Sequence, residues 1–481
     1  MHEKHRYIVR CLTGRNVKSK ADEFLEKMAR DINRVRRWFR KIQMVEFVPI
    51  VIPEMMSIAE TERLIIELQK QQIAVRNIIV NRVMGEESCN FCSTRKRGQE
   101  NPIREIEEQF GSYNLIKIPL FPHQVRGRDD LVQFGEILSG GFHPYQRAHR
   151  PELALQKPSV VEARLSGLLQ KELKFILFGG KGGVGKTSLS AATALRVARN
   201  NPRKRVLLFS TDPAPSLSDS FGIPIGDELT PIDGVGNLYA LELDALKIYE
   251  DVKQEYIEGI EEGFASTRSD GPNMGGELRF DKRIMIEFVS TSPPGLDEAM
   301  ALEKIMEFIE GESFDIYILD TAPTGHLLRF LELPQLARER LQAMLRLVLK
   351  YRRIARLDRL AEKMVKQASS MRKVRDILVD PTKSEFVCVT IPEAMGVLEM
   401  GDLLATLRAL DIPCHHLVIN MIVPVAECSF CATRREEQQR YVHQVKEMKS
   451  AAQLVVELPL FPHEIRGMAS LTKLGETAYG K

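Results

Sequence analysis

Gly179-Gly180-Lys181-Gly182-Gly183-Val184-Gly185-Lys186-Thr187-Ser188 is the stretch that decides the fold. It follows a short apolar run, Leu173–Phe178, and opens a helical pattern, Thr187–Arg199. A chain of phosphates needs several main-chain N–H groups turned toward it, and glycines let the backbone come that close. The next helix points its positive end at the same place. Gly180, Gly182, Gly183, Val184 and Gly185 are the expected cradle, continued by Ser188 in the first helical turn. Lys186 supplies a point charge at the β- and γ-phosphates, and the Thr187 hydroxyl a ligand for Mg²⁺. The predicted ligand is ATP with Mg²⁺.

Two further apolar runs end in aspartate. Arg205–Ser210 leads into Thr211-Asp212-Pro213-Ala214, and Phe314–Leu319 into Asp320-Thr321-Ala322-Pro323-Thr324-Gly325-His326. Phosphoryl transfer depends mainly on positioning and charge, so one carboxylate at a strand end suffices to orient or deprotonate the attacking water, which is the role expected of Asp212. An aspartate there also suits a helix N-cap. Asp320 is expected to hold Mg²⁺ through water, on a loop that changes shape when the γ-phosphate leaves. His326 reads as a polar loop residue before it reads as a catalytic one.

Phe386–Ile391, Leu417–Ile419 and Leu454–Leu458 are further apolar runs alternating with helical stretches. That alternation predicts a parallel sheet covered on both faces, with ligands at the carboxyl ends of the strands. The fold class expected is α/β, a P-loop NTPase whose parallel sheet is flanked by helices. Residues 222–312 are long for a connection, and 333–382 is rich in Leu, Met, Lys and Arg at helical spacing, so a helical subdomain is expected beside the sheet. Asn420 ends one apolar run and offers a donor and an acceptor to an adenine edge, with backbone near Pro462 closing over the base; a turn-forming Asn is the alternative.

The chain also repeats itself. Phe47 and Phe386, Asn81 and Asn420, and Cys89 and Cys428 are matching positions 339 apart, whereas Pro119 and Pro459 are 340 apart. The period is that of a domain, not of a solenoid. The second copy carries every phosphate motif ahead of its repeated block, and the first carries none. Residues 1–138 are therefore expected to be a truncated first copy, 139–171 a linker, and 172–481 a complete ATPase domain. A truncated gene and a start placed too late both explain the first copy.

Net charge is +3 over 481 residues, with 28% charged and 44% apolar residues, an ordinary globular balance. That charge makes no case for nucleic acid, and none is expected as a partner. The basic run Arg34–Lys41 reads as a solvated helix face first and an anionic docking patch second. No stretch approaches the roughly 18–20 apolar residues of a membrane span, and the charged start lacks a signal core, so a cytoplasmic protein is expected, peripheral to a membrane at most. Four of seven cysteines form two Cys-x-x-Cys pairs, Cys89/Cys92 and Cys428/Cys431. In a reducing compartment such pairs suggest metal, metalloid or redox chemistry.

Taken together, the Lys181–Thr187 loop, Ser210–Ala214, Pro293-Pro294-Gly295-Leu296-Asp297-Glu298-Ala299-Met300, Asp320–His326 and Asn420 resemble the arsenical pump-driving ATPase (ArsA) family, which includes the ATPase that targets tail-anchored membrane proteins. The resemblance covers about 172–478 in full and about 45–137 in part. It implies that Lys181, otherwise a solvent-exposed loop charge, is the signature lysine that reaches a partner subunit's nucleotide. It further implies that Asp212 activates water, that Asp320 lies in the switch loop, and that subunits work as dimers, here a homodimer through second copies.

Two departures bear on the cargo. Fused arsenite-pump members carry two such loops, and this chain has one. No cysteine lies between Gly179 and Val387, where such members hold metalloid. The paired cysteines resemble those of the targeting ATPases, which meet at an interface and bind zinc. Cys89, Cys92, Cys428 and Cys431 are thus candidates for a four-thiolate Zn²⁺ site, with a metalloid, thiol redox chemistry or no ligand as alternatives. Two functions stand open: the ATPase of an arsenite or antimonite efflux system with a membrane pump partner, placed first, and a targeting factor for tail-anchored cargo. Met344, Met364 and Met371 suit an apolar groove and equally suit ordinary core packing.

Overall fold

The computed structural model of the protein describes residues 20–85, 89–140, 163–211, 216–265, 282–283, 285–286, 307–309, 311, 313–321, 358–425 and 428–480. The chain divides into two compact units, residues 1–149 and 150–481.

The first unit runs α1 (Lys20–Phe39), β1 (Ile50–Val51), α2 (Met55–Lys70), β2 (Asn77–Val83), α3 (Asn90–Gln109), β3 (Asn114–Pro119) and α4 (Gly127–Leu138). Its three strands form a parallel sheet in the order β1-β2-β3. Val51, Ile58, Ile65, Ile78, Val80, Ile106 and Phe110 make its core.

The second unit opens with α5 (Ser166–Gln170), β4 (Phe175–Gly179), α6 (Lys186–Asn200), β5 (Val206–Ser210), α7 (Ser216–Phe221), β6 (Thr230–Pro231), β7 (Leu238–Glu242) and α8 (Ala245–Ala265). It continues with β8 (Ile316–Asp320), α9 (Asp358–Leu378), β9 (Ser384–Thr390), α10 (Ala394–Ala409), β10 (His416–Ile422), α11 (Ser429–Met448), β11 (Leu454–Pro459) and α12 (Gly467–Tyr479). The eight strands are ordered β11-β10-β9-β4-β8-β5-β7-β6, all parallel except the β6–β7 pair.

Every residue of β4, β5, β8 and β9 is buried, as expected where helices cover both faces of a parallel sheet. Alternation along the strands then makes two cores. Phe175, Leu177, Leu207, Phe209, Tyr317 and Leu319 face one side with Val374 and Leu378 of α9. Ile176, Phe178, Val206, Leu208, Ile316 and Ile318 face the other, with residues of α6 and α12. There Tyr479 donates its hydroxyl to Thr193 Oγ1 at 2.8 Å, tying α12 to α6.

The repeat holds down to single hydrogen bonds. Gln99 takes the Met84 N–H at 2.8 Å and gives its amide to Arg82 O at 3.0 Å; Gln438 takes the Val423 N–H at 2.8 Å and gives its amide to Met421 O at 3.1 Å. Gln72 and Asp411 share a left-handed turn, at φ 60° and 57°. The slip from 339 to 340 falls in the loop between α3 and β3, residues 110–113, against 449–453 between α11 and β11.

Two expectations are revised. Residues 222–312 do not open with helices: β6 and β7 extend the sheet first, and α8 comes after them. The end of the expected linker 139–171 belongs to the second unit, since α5 begins at Ser166, Leu165 and Leu168 sit in the core, and the Leu165 N–H bonds Ala478 O at 2.9 Å. Of the helical stretch 333–382, α9 is described; Met344, the Pro293–Met300 motif and His326 lie outside the described residues.

Candidate nucleotide-binding site

Strand register builds the site. Phe178 of β4 pairs with Asp320 of β8, and Asp320 with Ser210 of β5, so three strands end side by side at the loop 179–185. Gly180 at φ 153°, Gly183 at 75° and Gly185 at 88° hold conformations that L side chains avoid. At Gly180 there is no alternative: a Cβ would run into the main-chain carbonyl oxygen of Val389 on β9. Gly182 and Gly183 are exposed, whereas Val184 is buried.

Lys186 opens α6, is buried, and donates Nζ to Lys181 O at 3.0 Å, lying along the inside of its own loop. The Thr187 hydroxyl donates to Asp320 Oδ2 at 2.7 Å. Ser210 donates to the same oxygen at 3.4 Å, and Asp320 is fully buried. A hydroxyl and a carboxylate so close form the hard-oxygen donor set that Mg²⁺ prefers. Thr321 fastens the start of the next loop by donating Oγ1 to Phe178 O at 2.7 Å. Ser188 stands half-buried in the first turn of α6.

Asp212 lies outside the described residues. Further along the chain, α7 begins at Ser216, and Glu242 at the end of β7 accepts the Leu217 N–H at 2.5 Å and the Ser218 hydroxyl at 2.8 Å. Burial pushes the Glu242 carboxyl up from its ordinary range, partly opposed by those bonds. Glu242 thus anchors the start of α7.

Asn420, expected at an adenine edge, makes two local hydrogen bonds. Its Nδ2 donates to Val184 O at 2.9 Å, and its Oδ1 accepts the N–H of Met421, a left-handed residue at φ 61°. Asn81 accepts the Arg82 N–H in the same way. The side chain therefore fixes a strand-end bulge and, in the second unit, pins the phosphate loop. Pro462 comes after β11 in a half-buried turn. Lys181 pairs with Glu399 of α10 at 3.5 Å, both half-exposed.

No motif singles out Glu242, Glu399 or Gln438. Gln438 is findable from its match to Gln99 at the 339 spacing; Glu242 and Glu399 lie where only tertiary pairing gives them meaning.

Both Cys pairs open a helix: Cys89 is the N-cap of α3 and Cys428 of α11, where its Sγ accepts the Cys431 N–H at 3.5 Å. Cys388 and Cys414 are a different kind. Burial pushes both thiols up, Cys414 to about 12, so they stay protonated and inert.

The model of one protein family, the anion-transporting ATPases, matches residues 4–140 and again 173–480. The chain belongs to the anion-transporting ATPase (ArsA) family. The two matched segments agree with the duplication seen in the hydrogen bonds. Among curated relatives, ATPase GET3B of Arabidopsis thaliana is 35% identical over 328 residues, 63% of this chain and 78% of the relative. ATPase GET3 of Podospora anserina is 32% identical over 334 residues, 66% of this chain and 94% of the relative. ATPase get3 of Schizosaccharomyces japonicus is 33% identical over 324 residues, 64% and 93% respectively. As a family member the protein is an ATPase. Among the described residues no helix is long and apolar enough to cross a membrane.

Proposed function

We propose that this ATPase uses Mg·ATP turnover to handle apolar transmembrane segments, as a targeting factor for tail-anchored proteins. The observation that carries the nucleotide chemistry is the 2.7 Å contact of Thr187 with the buried Asp320, beside Lys186 and a glycine cradle. Main-chain amides of 180–188 bind the triphosphate, and Lys186 swings from Lys181 O to the β- and γ-phosphates. Mg²⁺, when bound, neutralises charge on those phosphates. Thr187 and Asp320 would hold it. Asp212 orients the attacking water. Departure of the γ-phosphate releases the loops after Ser210 and Asp320, which transmit the change to the helices beside the sheet.

The cargo reading rests on two supports. The relatives are GET3 ATPases, and no cysteine lies between Gly179 and Val387 to hold a metalloid. Arsenite or antimonite efflux, the reading placed first from sequence, becomes the second. The two Cys pairs suit structural zinc: each supplies two of the four thiolates of a tetrahedral site, so zinc takes both pairs or one pair from each of two chains. Lys181 leaves Glu399, a half-exposed pair of little energetic weight, to reach the nucleotide of a partner subunit in a homodimer.

The deciding experiment measures ATP hydrolysis with and without As(III), alongside capture of a single apolar helix. Helix capture with no arsenite response supports targeting. Arsenite stimulation that disappears in Cys428→Ser, without helix capture, overturns it.

A further inference from the structure

Helix α1 is amphipathic along its length. Phe24, Met28, Ile32, Val35 and Phe39 recur at steps of four and three residues, which sets them on one stripe of the helix. The stripe is bare at both ends: Phe24 is 64% exposed and Phe39 47%. It lines a groove of about 680 Å³ together with Lys27, Arg36 and Arg40. Trp38, one step of three beyond Val35, stands at the edge of the stripe, 45% exposed, with the Arg34 guanidinium 5.5 Å from its ring centre. Charge is distributed unevenly along the helix. In the first half, Glu26 and Asp31 pair with Arg30 and Arg34 at 3.9 and 2.9 Å. Between Ile32 and Val45 there is no acidic residue, while Arg34, Arg36, Arg37, Arg40 and Lys41 are all present and exposed.

The repeat separates what α1 shares with its counterpart from what is particular to it. At the 339 spacing, Val35 and Phe39 match Val374 and Leu378 of α9, which are buried in a core. The apolar stripe is therefore common to both helices. The charge is not. In α9 and the turn after it, Lys373 and Arg375 are balanced by Asp376 and Asp380. In the first unit Arg37 stands in place of Asp376, Arg40 in place of Val379, Lys41 in place of Asp380, and Trp38 in place of Ile377. A core stripe left uncovered does not call for these changes. A surface that is apolar below and anionic above does. Tryptophan prefers the depth of lipid headgroups, and arginine and lysine lay their stems along the apolar zone while lifting their charge to the phosphates.

We propose that α1 docks the first unit on a bilayer surface that bears anionic phospholipids. The helix lies in the plane of the interface. Phe24, Ile32, Val35 and Phe39 enter the acyl boundary, Trp38 sits at headgroup depth, and the basic residues from Arg34 to Lys41 meet the phosphates. Attraction comes from the charge, and the apolar stripe holds what the charge brings in. The proposal stands on this helix alone and is independent of the cargo reading.

The test mixes the full chain with vesicles of phosphatidylcholine, with and without phosphatidylglycerol, and follows flotation together with the emission of Trp38, the chain's single tryptophan. Vesicles containing phosphatidylglycerol are expected to carry the protein, shift Trp38 emission to the blue and cut its quenching by acrylamide severalfold, and added salt is expected to reverse all three. Arg36→Gln combined with Arg40→Gln should weaken vesicle binding by about 30-fold. Val35→Glu, at a position already exposed, should abolish the blue shift, and ATP binding by the second unit verifies that each variant is folded. Equal flotation with phosphatidylcholine alone, no flotation with either vesicle, or flotation that leaves Trp38 emission unmoved overturns the proposal. So does undiminished binding by the double arginine variant. Shielding of Trp38 without vesicles that grows with protein concentration overturns it in favour of a second copy on this face, and shielding by a free apolar helix but not by anionic vesicles overturns it in favour of cargo.

Discussion

Replacing Gly180 by alanine isolates what the loop needs. At φ 153° an L residue lies in a region that costs on the order of 1–3 kcal/mol. The new Cβ also meets the Val389 carbonyl oxygen, which belongs to the backbone of a fully buried strand and has no rotamer to escape into. The loop must therefore lift off β9, and the amides aimed at the phosphates move with it. Gly183→Ala is the matched control: φ is 75°, but a Cβ there meets nothing within 4 Å. Its cost is that of a left-handed residue, roughly 1–2 kcal/mol. Since 1.4 kcal/mol is a tenfold change, Gly183→Ala should weaken ATP binding by about 5- to 30-fold and Gly180→Ala by more than about 100-fold. Calorimetric titration of ATP into both variants, with circular dichroism to verify folding, reads the difference. Equal losses, or Gly180→Ala binding within a few-fold of the parent, would refute the steric argument.

Other consequences arise from the same contacts. Asn420→Ala removes the bond to Val184 O and the cap on Met421, so ATP affinity should fall about tenfold from a loosened loop, at a typical 1–1.5 kcal/mol for a lost hydrogen bond; if discrimination between ATP and GTP collapses instead, the residue reads adenine after all. Lys181→Ala should leave ATP binding intact and lower turnover, and Glu399→Gln, which frees the lysine, should not lower it; unchanged turnover in Lys181→Ala would remove the role in a dimer. Glu385 tests acid stability. Burial raises its carboxyl, but hydrogen bonds from the rings of His416 and His415 and from the His415 N–H win, leaving it at about 2 against an ordinary 4.5. A depressed carboxyl stabilises fully above its unfolded value, so its contribution, on the order of 3 kcal/mol, should disappear as pH falls from about 4.5 to 2. Melting curves of Glu385→Gln should be lower at neutral pH and converge with the parent near pH 2; curves that never converge would show a role other than charge.

The phosphate loop, the strands of the central sheet and the duplication are legible in the sequence because each is local. Fully buried strands read as continuous apolar runs, as β4, β5, β8 and β9 do, and β10 and β11 fall on two further apolar runs. β7 is hidden because Leu238–Glu242 leads almost directly into the helical pattern of α8. Asn420 is legible as a strand end, but its work is not, since nothing local says that Val184 O lies above it. Glu242 and Glu399 have no local signature. They become visible only when elements far apart in sequence are laid side by side.

The central claim is that the loop 179–188, through its amides and Lys186, holds a triphosphate whose cleavage moves the neighbouring loops. Phosphate release from Mg·ATP by the purified chain, run beside Lys186→Ala, tests it most directly. The account predicts steady turnover by the parent and loss of nearly all of it in the variant, with the fold unchanged. Equal turnover by both, or none by the parent under conditions where it binds nucleotide, would contradict it.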